Sequence, residues 1–434
     1  MKKIKEGISL IVLVITIIVM IILAAAIIIS LNNTGIIGNA NKATIKQNLN
    51  NYKTELNLKI AEKIAENPNY EMGPYEITNT TTPSILDLIP DMSKEDAKCF
   101  KVVQGNLVYM VESREKYEAC KELGIWIDAT NLTEAEYKEI FKEEIAYFDS
   151  ISDTDRPLTG ERDGWYIKDG VTLNTDIVVV PYGVTDIGML AIPDGVKTVI
   201  MPNTIKEISS WAFLSSSLEY LFIPEGTYVL HDTCFMYSKN LKYVKLPESL
   251  EILDGSFHGC ESLEYVVIPK SVKSINDGTG PFEGCKKLKD IIVDKDSPYY
   301  ISENGVLFNK SKYTWNGKNC ENEKECIIAV VPTKTGKYIV PDTVKVIGCH
   351  AFSTTKISSI VISANVTKIE SSAFQNVNNL KEIYIESTNI TMDNYAFKYL
   401  PKGSTIYVRS KEVADMLDGK YNADNTTVST NYNW

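Results

Sequence analysis

The sequence predicts a mainly β solenoid of stacked repeats, preceded by a long N-terminal transmembrane α-helix and a small α+β head. Three observations carry that expectation. Phenylalanines recur at Phe213, Phe235, Phe257, Phe282, Phe352, Phe374 and Phe397, at spacings of 22, 22, 25, 70, 22 and 23 residues. Strand-like runs ending in proline recur in step, as in LEYLFIP from Leu218, LKYVKLP from Leu241 and LEYVVIP from Leu263. Residues 8–31 form one uncharged run of 24. With a period near 22 residues, one unit cannot bury its own apolar face, so each stacks on the next around a continuous core.

The 434 residues carry a net charge of −11, and no basic patch is visible. That balance argues against nucleic acid as a partner. At 1.5 Å per residue the run 8–31 is about 36 Å long, enough to cross a bilayer of about 30 Å with some tilt. Eighteen of its residues are Ile, Leu, Val or Met, so insertion gains roughly 5–10 kcal/mol. Lys2, Lys3 and Lys5 precede it, and the first charge after it is Lys42. The positive-inside bias then puts the N-terminus in the cytoplasm and the bulk of the chain outside the cell, as a single-pass protein of the cell membrane.

The junction of KKIKEG with ISLIV resembles a type IV prepilin leader. The resemblance implies a basic leader of residues 1–7, cleavage between Gly7 and Ile8, and other pilin-like subunits as partners. That family usually carries Glu five residues after the cut, where Val12 stands here. Beyond the membrane run, over 32–67, Ile45, Leu49, Tyr52, Leu56, Ile60 and Ile64 recur at helical steps, and Pro68 ends the pattern.

Residues 68–150 read as a small α+β, pilin-like domain. CFKVV and LVYMV flank Gln104-Gly105-Asn106 as a hairpin. Ser113 caps a helix that Gly124 ends, and Thr133 with Glu136 forms a capping box for another. The polar, turn-rich stretch 151–163 reads as a linker.

The repeats occupy 164–410. In the unit from Leu263, Leu263, Val266 and Ile268 point inward and Tyr265 and Val267 outward, with Pro269 ending the strand. Val272 and Ile275 form a second inward pair, repeated by Ile205 with Ile208, Val344 with Ile347 and Val366 with Ile369. PYGVTDI and PDGVKTV read as two worn units lacking the Phe. An excursion at about 298–338 interrupts the array. Residues 411–434 read as a short closing helix and a disordered tail.

The pattern of a strand ending in I-P, then V-x-x-I, then A-F, seen in IPKSVKSI, VPDTVKVIGCHAF and VTKIESSAF, resembles the BspA-like leucine-rich repeats of bacterial surface proteins. The resemblance implies a leucine-rich-repeat β-solenoid, an excursion that makes an extra hairpin and rejoins the array, and macromolecular recognition or adhesion at the cell surface. Its ligand would be a protein or a glycan. The prepilin likeness implies the alternative of a minor pilin or pseudopilin in a pilus-like or secretion apparatus.

The eight cysteines show no CxxC spacing. Cys234, Cys260, Cys285 and Cys349 fall in repeat turns as small packing residues. Cys320 and Cys326 share one loop and can form a local disulfide, while Cys99 and Cys120 can pair or lie buried. Three histidines and no HExxH, GxSxG or phosphate loop give no basis for an enzyme, a metal site or a cofactor. Asp153 with Asp155, and Asp294 with Asp296, match no complete calcium loop. The candidate binding surface is the outward strand ladder: Tyr220 and Phe222, Tyr243 and Lys245, Tyr265 and Val267, continuing through Ser359 and Val361 to Glu382 and Tyr384. Such a tyrosine stripe either recognises a partner or stacks on itself to cover the sheet.

Overall fold

The computed structural model describes residues 36–154, 164–168, 171–276, 278, 280–310, 320, 322–417 and 426–432. The expected membrane run at 8–31 and the Gly7–Ile8 junction lie outside the described residues. Among those described, no helix is long and apolar enough to cross a membrane. The chain divides into two compact units, Met1–Ile127 and Asp128–Trp434. The division falls ahead of the expected linker at 151–163.

In the first unit a helix, Ile36–Glu66, carries the apolar stripe. Leu49, Tyr52 and Leu56 are buried, whereas Ile64 is exposed. The Tyr52 hydroxyl donates to Asp96 Oδ2 at 2.8 Å and Lys53 Nζ donates to the Leu123 carbonyl at 2.9 Å. Strands Phe100–Val103 and Asn106–Met110 form the expected hairpin. Gln104 and Gly105 both take positive φ at its turn, the geometry that matches strand twist. Ser113 caps Arg114–Glu122, accepting from the Lys116 N–H.

The second unit opens with two helices, Glu134–Ile140 and Lys142–Ile151. The Thr133–Glu136 capping box starts the first. Tyr137 is buried, and its hydroxyl donates to the carbonyls of Val180 and Ile200 at 2.8 and 3.2 Å. These helices therefore close the first turns of the solenoid rather than completing a head domain.

Each turn of the solenoid contributes to two parallel ladders. In the first, Ile177–Val179 pairs with Thr198–Ile200, Tyr220–Phe222 with Tyr243–Lys245, and Tyr265–Ile268 with Asp290–Val293. In the second, Asp186–Ile187, Glu207–Ile208, Val229–Leu230, Ile252–Asp254 and Ser274–Asn276 follow one another. The inward pairs fall as expected: Ile205, Ile208, Val272, Ile275, Val344, Ile347, Val366 and Ile369 are fully buried. PDGVKTV, however, is not a worn unit of the V-x-x-I kind. Val196 and Val199 occupy the places of Leu218 and Leu221, and the run continues as strand Thr198–Ile200.

The repeat phenylalanines form the spine of the core. Phe213, Phe235, Phe257 and Phe282 stack at 5.2, 5.5 and 5.9 Å with rings within 6° of parallel. Phe352, Phe374 and Phe397 stack at 5.1 and 5.2 Å. The turn around each Phe donates alternate N–H groups to the next turn, as Phe213 does to the Cys234 carbonyl and Ser215 to that of Met236. That crossing goes with left-handed backbone two residues from the Phe, and Trp211, Ser215, Thr233, Tyr237, His350 and Thr354 adopt it without being glycine.

The cysteines follow the same register. Ser238 Oγ, Cys260 Sγ and Cys285 Sγ each stand three residues after a Phe and donate to the Phe carbonyl one turn back, at 2.7, 3.3 and 3.1 Å. Burial pushes the Cys234, Cys260 and Cys285 thiols up, so they stay protonated packing groups. Cys349 is only half-buried. Cys99 and Cys120 are buried and free.

The excursion is an antiparallel meander of Tyr300–Glu303, Val306–Asn309 and Cys326–Val330. Its last strand rejoins the second ladder beside Val346–Ile347, and Thr335–Ile339 restarts the first beside Lys356–Ile362. A disulfide joins Cys320 to Cys326. The turns before and after the excursion meet directly: Gly284 N–H donates to Thr354 Oγ1 at 3.1 Å, and Ser353 Oγ donates to Glu283 Oε1 at 2.8 Å. The 70-residue gap in the Phe series is thus one step in space.

At the C-terminal end, Glu382–Ile385 and Ser404–Val408 continue the first ladder and Lys411–Leu417 is the closing helix. The expected disorder of the tail is corrected at Thr426–Ser429. This segment pairs in parallel with Ser404–Val408, because β-branched Thr427 and Val428 meet an otherwise open strand edge.

Candidate recognition surface

The outward positions of the first ladder differ between its two halves. In the upstream half, Tyr220, Phe222 and Tyr243 are buried at 6, 4 and 5% exposure, which overturns their reading as an exposed aromatic stripe. The rings cover one another: Phe222 lies 5.9 Å from Tyr220 and 5.5 Å from Tyr243. Lys245, Tyr265 and Val267 are half-buried, and Lys289 Nζ lies over the Tyr265 ring at 5.7 Å. Alternation along a strand tells in from out, but not whether the outer face is covered.

The downstream half is open. In register across four strands stand Ile339, Val361, Tyr384 and Tyr407. Beside them run Lys337, Ser359, Glu382 and Thr405. Ile339 is 62% exposed, and Val361, Tyr384 and Tyr407 are half-buried. With strands about 4.8 Å apart, the four side chains make a strip about 14 Å long.

Tyr384 and Tyr407 stack at 4.9 Å, with rings 10° from parallel. Tyr432, 44% exposed, sits against both at 4.8 and 5.1 Å. Burial, then the neighbouring Glu382 carboxylate, push the Tyr384 phenol up to about 12. Flanking charges come from exposed Lys337, Lys356 and Glu382. The strip combines rigid aromatic area with a polar rim of both signs, the composition that binds extended protein or glycan surfaces.

Of this strip, the sequence pattern had reached Val361 and Tyr384. Ile339 was hidden because TGKYIVP read as part of the excursion. Tyr407 was hidden because its unit carries no Phe, and Tyr432 because the tail is rich in Asn and Thr.

The titratable groups elsewhere are structural. His231 Nε2 lies 2.8 Å from Glu207 Oε2, and His350 Nδ1 and His258 Nδ1 lie 2.7 and 3.8 Å from Glu283 Oε2. Asp294 Oδ1 accepts from the Asp296 N–H, a turn bond. Among the described residues, no group of three His, Cys, Asp or Glu could hold a metal ion.

Comparison with known proteins matches the BspA-type leucine-rich repeat region in six copies, over residues 172–304 and 333–416, half of the chain. A leucine-rich repeat protein from Eubacterium ventriosum is 26% identical, over 54% of this chain and 61% of that one, with a TM-score of 0.45. The chain thus spans about three-fifths of that protein's length. A leucine-rich cell surface protein from Faecalibacterium prausnitzii is 20% identical, over 64% and 96% of the two chains, with a TM-score of 0.35. A leucine-rich repeat protein from Bacteroides ovatus is 21% identical, over 59% and 69% of the two chains, with a TM-score of 0.36. No curated protein matches the chain.

Proposed function

The chain belongs to the BspA-type leucine-rich repeat family, and from that premise we propose that it is a cell-surface protein whose solenoid recognises a macromolecule through the open half of its first strand ladder. The observation that carries this reading is the strip of Ile339, Val361, Tyr384 and Tyr407, aligned on four strands, with Ile339 exposed and the other three half-buried. Nothing in the family match points to catalysis. The ligand is a protein or a glycan.

The same reading anchors the chain in the cell membrane through residues 8–31, with the N-terminus cytoplasmic and the repeats outside. The uncharged run and the three preceding lysines support it. The KKIKEG–ISLIV junction, with the helix Ile36–Glu66 downstream, supports a second reading as a minor pilin or pseudopilin, processed between Gly7 and Ile8.

Two measurements test the proposal. Protease added to intact cells is expected to remove the repeats; repeats protected until the membrane is opened would overturn the topology. The full-length chain, screened on arrays of immobilised proteins and glycans, is expected to retain a ligand of one of those classes. Retention of neither would overturn the recognition role.

A further inference from the structure

The last strand of the first ladder does not belong to a repeat. Thr426–Ser429 carries no proline, no V-x-x-I pair and no Phe, yet it pairs with Ser404–Val408 in the register that links successive repeats: Ser404 with Thr426, Thr405 with Thr427, Ile406 with Val428 and Tyr407 with Ser429. Three residues further on, Tyr432 sits against Tyr384 and Tyr407.

The hold on this strand differs from that on a repeat strand. Ile383, Ile385, Ile406 and Val408 are fully buried, whereas none of Thr426, Thr427, Val428 and Ser429 is. The attachment therefore rests on main-chain pairing, one half-buried side chain, Val428, packed against the edge of the core, and Tyr432 against two rings. Main-chain pairing accepts any strand that presents the right register, which is the physics of strand addition at a sheet edge.

We propose that the edge of Ser404–Val408, with the Tyr384–Tyr407 platform beside it, is a strand-acceptor site whose exchangeable occupant is the C-terminal tail of a second copy of this chain. The structure shows the site filled by the chain's own tail. The same contacts form when the tail comes from a neighbour, so exchange is governed by local concentration, as in domain swapping. Copies gathered on one surface would join end to end through their tails. The proposal goes beyond recognition of an outside ligand and does not depend on the identity of one.

The test uses the full-length chain and a synthetic peptide of residues 424–434. In the chain carrying Val428→Asp and Tyr432→Ser the tail is expected to leave its seat, and the peptide to bind at least tenfold more tightly than to wild type. Adding Tyr384→Ser and Tyr407→Ser is expected to weaken that binding at least tenfold. Peptide binding no tighter than to wild type, by a folded variant, would overturn the acceptor site. An undiminished affinity after loss of both tyrosines would overturn the platform. A second arm needs no tail-releasing substitution. Chains carrying Thr405→Cys are mixed with chains carrying Thr427→Cys, positions that face each other in the ladder. A disulfide-linked pair containing one chain of each kind is expected on oxidation. Its absence at high concentration would overturn the second copy as occupant.

Discussion

Phe257→Ala is expected to destabilise the solenoid by about 3–5 kcal/mol, the cost of emptying a fully packed aromatic site. Phe257 is fully buried between Phe235 and Phe282, at 5.5 and 5.9 Å, with both rings within 5° of parallel. Stacked rings in one register leave no neighbouring side chain free to collapse into the gap. The same turn also carries the Cys285 Sγ bond to the Phe257 carbonyl and the Phe257 N–H bond to that of Pro281. Because each repeat contacts only its neighbours, protection of amides in the turns around Phe235 and Phe282 should fall together. Hydrogen exchange resolved by residue checks this. Loosening confined to the turn of Phe257, with its neighbours at wild-type protection, would contradict a continuous aromatic spine.

Glu283→Gln is expected to uncouple the repeats on either side of the excursion. Glu283 is buried and receives the Ser353 hydroxyl at 2.8 Å, with His350 Nδ1 at 2.7 Å and His258 Nδ1 at 3.8 Å. His258 and Glu283 precede the excursion, and His350 and Ser353 follow it. Glutamine keeps an oxygen to accept the Ser353 hydroxyl but removes the negative charge that faces His350 and His258 across the junction. The unfolding of the variant should separate into two steps, while wild type unfolds across the junction in one.

The pH dependence follows from the same group. Burial alone would raise the Glu283 carboxyl. The His350 bond and charge, the Ser353 hydroxyl and the His258 charge outweigh it and leave the carboxyl below its ordinary value of 4.5. A carboxyl depressed in the folded state adds stability above its unfolded value, and that stability is lost as pH falls through the folded value. Wild type should therefore lose stability below about pH 4.5, and Glu283→Gln should show a shallower loss over the same range. Parallel acid limbs for the two chains would contradict the assignment.

The parts of this molecule that were legible in its sequence are the periodic ones. The Phe series, the inward V-x-x-I pairs and the Cys residues three places after Phe257 and Phe282 all follow from one register, so a single good unit decodes the others. Two kinds of feature escaped. The first depends on what lies over a surface. Phe222 and Tyr384 hold the same strand position, yet one is buried beside Tyr220 and Tyr243 and the other is half-open beside Tyr432. The second depends on distant joins. Glu283 and His350 meet because the excursion returns the chain to the turn it left. Local chemistry misled at PDGVKTV, where Val196 and Val199 imitate a V-x-x-I pair while serving as the strand of the next unit. The left-handed Trp211, Thr233 and His350 were equally hidden, since the turn geometry there is imposed by stacking and not by glycine.

The most direct measurement of the recognition surface compares two folded full-length variants for capture of the ligand that the array identifies. Ile339→Ser with Tyr384→Ser and Tyr407→Ser changes only the open strip, whereas Lys245→Ser with Val267→Ser changes half-buried positions of the upstream face. The first variant is expected to keep the solenoid folded and lose capture by more than tenfold, as it would if one of its residues contributes about 2 kcal/mol. The second is expected to retain capture within about threefold, a change of under about 1 kcal/mol. Wild-type capture by the open-strip variant, or a larger loss in the upstream one, would contradict the account.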